Sequence, residues 1–182
     1  GMELVRVGQD LRKPPRPIDD WILTYSHSDG WHRMDGLFRT VRILRGQIDD
    51  LEGIELPLNL VEARYEDLVD RMSQAFLAAL EKSEWQFPSQ RSQSRFWDTD
   101  VPRECRVAVF LVDALRLEMG WSLLQQLEDL GTWSLKPRVA MAPTITPVGM
   151  AAVLPSGGSD FQVGEADGAF AGRWGGQLLP GL

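Results

Sequence analysis

The chain has 182 residues, with 19 basic against 26 acidic side chains, a net charge of −7 and a pI near 4.9. That balance argues against direct nucleic-acid binding, since phosphate affinity comes from clustered Lys and Arg. No apolar run approaches the roughly 20 residues of a membrane span. The single cysteine, Cys105, excludes an internal disulfide framework and fits a reducing compartment, so a cytoplasmic protein with no membrane contact is expected.

In chain order, Pro14, Pro15 and Pro17 open the first ordered region, and Trp21, Ile22, Leu23 and Tyr25 read as a strand or anchoring segment. Met34, Leu37, Phe38, Val41, Leu44, Ile48 and Leu51 recur with a 3.6-residue period, which predicts a helix over 34–51 that Gly53 and Pro57 break. Arg39, Arg42 and Arg45 step along it and read as a solvated face paired with nearby acids. Tyr65, Leu68, Val69, Met72, Phe76, Ala79 and Leu80 predict a second helix over 60–82. Residues 1–82 are thus a mainly helical N-terminal region, and the polar stretch 83–104 reads as a linker. Cys105, just before the next element, reads as a small buried residue.

The third region, 105–182, carries the chemistry. Val107, Ala108, Val109, Phe110, Leu111 and Val112 form an unbroken apolar run, the pattern of a strand covered on both faces. Asp113 ends it. Leu115, Met119, Leu123 and Leu127 then predict a helix that Gly131 stops, and Leu135–Met141 reads as a second strand, giving a βαβ unit. In Thr146-Pro147, Thr suits an N-cap and Pro the first helical position, so a short helix should start there and end before Pro155. Asp113 and Thr146 then lie at neighbouring strand ends, where open α/β sheets bind ligands. A hydroxyl at a helix N-terminus could meet a phosphoryl group or act as a nucleophile. An Asp here also commonly caps a helix, a Thr-Pro pair commonly only starts one, and Thr144 is an alternative nucleophile. The tail after Pro155 is glycine-rich, with Phe161, Phe170 and Trp174 as packing or strand anchors.

The segments FLVDALRLEMG and APTITPVGMAAVLPSG resemble the PglZ domain, a branch of the alkaline phosphatase superfamily found in bacterial phage-resistance systems of the Pgl and BREX type. The pattern at Asp113, Leu115, Arg116 and Glu118 is similar to the first metal-ligand strand of that family, and Pro143–Met150 to its nucleophile turn. The resemblance implies an α/β fold: a helical N-terminal part beside a small, mostly parallel sheet of alkaline-phosphatase-like type, incomplete here. It implies that Asp113 binds a divalent metal, zinc by preference, and that Thr146 is the nucleophile and bridges the metals. Arg116 and Glu118 take structural roles. Related enzymes form a phospho-threonine or phospho-serine that is then hydrolysed. The further ligands of such a site come after the nucleophile, whereas His27 and His32 precede it and Asp160, Glu165 and Asp167 stand in a tail without histidine. The chain is therefore expected to be the first half of a metal-dependent phosphoesterase domain, inactive alone. The alternative is a noncatalytic interaction module of a defence complex. Other phage-defence proteins are the expected partners, and a homodimer would cover the exposed edges of a half-domain.

Overall fold

The computed structural model describes residues 1–13, 16–86, 91–102, 106–155, 161–166 and 168–178. Cys105, Asp160 and Asp167 lie outside them. The chain forms two compact units: Gly1–Gln86 with Arg116–Leu135, and Phe87–Leu115 with Lys136–Leu182.

The first unit is helical. It comprises α1 (Met2–Asp10), α2 (Ile18–Ser26), α3 (His32–Arg45), α4 (Glu55–Lys82) and, from later in the chain, α6 (Leu117–Leu127), which a short 3₁₀ turn extends through Leu130. Trp21–Tyr25 is helical, not a strand. Asp19 and Asp20 occupy the first turn of α2, where carboxylates suit the helix dipole, and Trp21 and Tyr25 fall four residues apart on one face. Helix α3 begins and ends earlier than its periodicity suggests. Arg42 and Arg45 favour its C-terminus, and Gly46 follows. Pro57 does not break a helix. It sits in the first turn of α4, where a missing N–H costs nothing because that group has no intrahelical acceptor.

Leu4, Val7, Trp21, Trp31, Met34, Leu68 and Ala79 make this unit's core, with the Trp21 and Trp31 rings edge to face at 5.2 Å. Polar groups enter it as pairs. Buried Asp35 accepts hydrogen bonds from the hydroxyls of Tyr25 at 2.6 Å and Tyr65 at 2.8 Å. Burial, and then the facing carboxylate, push both tyrosines well above their ordinary pKa. Glu118, 4% exposed, pairs with Arg116 at 3.1 Å and Arg39 at 3.7 Å. His32 lies parallel to Trp121, and its Nε2 donates to the His27 carbonyl at 2.9 Å.

The second unit contains a 3₁₀ turn at Gln93–Arg95, α5 (Phe96–Thr99), α7 (Thr146–Ala152) and the strands β1 (Gln162–Ala166), β2 (Ala169–Trp174) and β3 (Gln177–Leu178). The expected mostly parallel sheet is corrected: the three strands form an antiparallel sheet in the order β1-β2-β3. They come from the glycine-rich tail. Gly175 and Gly176, both at positive φ, make the two-residue turn between Trp174 and Gln177, the conformation tight hairpins require.

Residues 106–112 form no strand, and Phe110 is 86% exposed. A strand needs a partner edge. Among the described residues, the segment expected to supply one, Leu135–Met141, makes an isolated parallel bridge, Val139 to Ser92, and no strand. The Val139 backbone is engaged by Arg91 and Gln93 instead. The unit's core is Val148, Ala151, Ala152 and Phe161, with Met141 and Val163 against it. Helix α7 lies so close to β2 that a Cβ on Gly172 would stand 2.5 Å from that of Ala151.

Candidate functional site

The two sequence-predicted site residues belong to the second unit and meet there. Thr146 Oγ1 donates a hydrogen bond to Asp113 Oδ2 at 3.3 Å, across 33 residues of sequence. Both side chains are exposed. Asp113 Oδ1 accepts from the next backbone N–H, that of Ala114, at 2.9 Å. This bond accompanies a sharp turn: Ala114 has φ +56°, in the left-handed region that a residue with a Cβ enters at a cost. The carboxylate is thereby oriented by its own turn, with its second oxygen left for Thr146. Backbone strain of this kind is found at functional sites.

Thr146 is not the N-cap that its sequence suggests. Ile145 takes that position, and Thr146 is the first residue of α7 with Pro147 next. The Thr146 hydroxyl is directed to Asp113. The Pro143–Thr146 turn contains a cis Ala142–Pro143 peptide and an Ile145 N–H bond to the Pro143 carbonyl at 2.9 Å. Thr144 makes no side-chain contact that would align it with Asp113 among the described bonds, so Thr146 is the better placed of the two hydroxyls.

The remaining candidates lie elsewhere. Arg116 and Glu118 form an ion pair in the helical unit, which also holds His27 and His32. Glu165 sits on β1 opposite Phe170. Gln93 carries no motif in the sequence, yet its side chain bonds on both sides of the Pro143–Thr146 turn, to Met141 and to Gly149.

Asp113 and Thr146 provide two oxygen donors. A zinc ion takes four ligands in a structural site and three protein ligands in a catalytic one. Among the described residues, no group of three or more His, Cys, Asp or Glu is arranged to hold a metal. The described donor set therefore does not by itself fit a metal centre.

Residues 98–173 match the family model of the BREX system PglZ alkaline phosphatase-like domain. The match takes in both Asp113 and Thr146, covers less than half of the chain, and bears out the family resemblance read from the motifs. Alkaline phosphatase-like domains generally use divalent metals. No curated protein and no solved structure matches the chain. Among the described residues, no helix is long and apolar enough to cross a membrane.

Proposed function

We propose that the chain carries the nucleophile-bearing part of a PglZ-type, metal-dependent phosphoesterase of a bacterial phage-defence system, and that this part does not turn over substrate alone. Thr146 is the nucleophile in this reading, and Asp113 and Thr146 each offer one oxygen to a divalent metal, zinc by preference. The observation that carries it is the Thr146–Asp113 hydrogen bond, because it joins the two family motifs through the two atoms the chemistry needs. A threonine oxygen that forms a bond to phosphorus must release its proton as the leaving group departs, and a carboxylate within hydrogen-bond reach is suited to receive it.

A second reading, a noncatalytic interaction module of the same defence complex, draws support from the two-oxygen donor set and from the exposed apolar side chains of Val107, Phe110, Leu111 and Val112. In both readings the protein is cytoplasmic, and its partners are other defence proteins or a second copy.

Zinc calorimetry on the wild type and Asp113→Ala tests them. Near-stoichiometric binding that weakens at least tenfold in the variant supports the phosphoesterase, and phosphate on Thr146 by mass spectrometry after incubation with an aryl phosphate strengthens it. A wild type that takes up no zinc favours the interaction module.

A further inference from the structure

Thr146 reaches Asp113 only if the turn between Met141 and α7 is held in shape. The turn's own backbone provides few restraints: Ile145 N–H to Pro143, then the first bonds of α7, Val148 and Gly149 N–H to the Ile145 carbonyl. One side chain bonds on both sides of it. Gln93 Oε1 accepts from the Met141 N–H at 3.2 Å, and Gln93 Nε2 donates to the Gly149 carbonyl at 3.0 Å. The Gln93 backbone N–H donates to the Val139 carbonyl at 2.9 Å, and the Val139 N–H donates to the Arg91 carbonyl at 2.8 Å.

We propose that Gln93 is a positioning residue for Thr146, acting as a clasp that fixes the entry and exit of the nucleophile turn at a set separation. The inference rests on the reading of Thr146 as the nucleophile. Gln93 lies outside the residues that match the family model.

The amide is suited to this task in a way that a carboxylate or hydroxyl is not. It presents one acceptor and one donor from a single rigid plane. The entry segment at Met141 offers an N–H and the exit helix offers a C=O, so the orientation of the amide is determined: turned over, it would set donor against donor and acceptor against acceptor. The two anchor points bracket residues 142–148, and Thr146 lies between them. A Cβ at position 149 would make only an ordinary contact with Gln93 Nε2, at 3.8 Å, so the clasp does not depend on glycine there. Losing the clasp frees both ends of the turn, and an ångström of drift separates the hydroxyl from a carboxylate already 3.3 Å away.

The test is the methyl NMR signal of Thr146 in the full chain, labelled at threonine Cγ2 and assigned with Thr146→Ser. Asp113→Ala defines where the signal falls when the contact is broken. The indole N–H of Trp97, which donates to the Val153 carbonyl at 2.6 Å, reports separately that the unit is folded. Gln93→Ala is expected to move the Thr146 signal toward its Asp113→Ala position, to speed amide exchange at Met141 at least tenfold, and to leave the Trp97 signal in place. Gln93→Glu keeps the acceptor for Met141 but loses the donor to Gly149, so it should move Thr146 while Met141 stays protected. A Thr146 signal unmoved in Gln93→Ala, with Trp97 intact, overturns the clasp. If Gln93→Ala loses the Trp97 signal, Gln93→Glu decides in its place by the same criterion. A Thr146 signal unmoved by Asp113→Ala is a different failure: the hydroxyl–carboxylate contact itself is then wrong, and the clasp falls with it.

Discussion

Ala114 shows how one residue can serve a site at a local cost. Its φ of +56° turns the chain immediately after Asp113 and lets the Ala114 N–H bond the carboxylate. A left-handed conformation costs an L-residue roughly 1–2 kcal/mol, and glycine avoids that penalty. Ala114→Gly is therefore expected to raise stability in urea by up to about 1 kcal/mol or leave it unchanged, while Ala114→Val should lose about 1–2 kcal/mol. The opposite order would place the strain elsewhere. Asp113 stood out in the sequence because it ends an apolar run, and Thr146 because it precedes proline. The bond between them was not legible. Thr-Pro reads as a cap, and only the folded chain shows Ile145 in that position and the Thr146 hydroxyl turned to Asp113. Gln93 was less legible still, since a glutamine in a polar stretch carries no signal until its two bonding partners are known.

Helices α3 and α6 meet through an unusual polar contact, and its pH dependence follows from its composition. His32 is 3% exposed, its ring stacks on Trp121, its Nε2 is bonded to a backbone carbonyl, and its Nδ1 has no hydrogen-bond partner among the described residues. Burial lowers its pKa, outweighing the backbone bond and the carboxylates of Asp35 and Glu118, which act in the opposite sense. Below the ordinary value of 6.5 the unfolded chain then binds the proton more readily than the folded one. The stability this residue contributes is complete above about pH 6.5 and declines as the pH falls below it. Urea titrations between pH 7.5 and 5, followed by Trp fluorescence, should show that decline in the wild type and a smaller one in His32→Phe. An identical slope in both would remove His32 as its source. The helices themselves were readable because their apolar stripes recur within one segment. In α3, α4 and α6 only the ends moved, and Pro57 shows why: the same residue breaks a helix interior and suits a first turn.

At the scale of the whole molecule, the run from Val107 to Val112 is an apolar stretch whose side chains at 107, 110, 111 and 112 are exposed. Exposed apolar backbone of this length is a template for pairing with another chain. Light scattering over a dilution series should detect self-association of the 20.5 kDa chain, and Phe110→Asp should shift it to monomer. A wild type that is monomeric throughout removes the homodimer. The same run marks where sequence reading stopped. Apolar periodicity located α3, α4 and α6, though not α1 or α2, and motif order was enough to reveal the family resemblance over residues 98–173, because helical bonds close within four residues and a motif is local by definition. A strand needs a second segment to close its bonds, and among the described residues VAVFLV carries a strand's composition without a partner that makes it one. Which edge Val139 meets and whether Thr146 faces Asp113 depend on contacts between residues far apart in the chain, and only the tertiary structure decides those.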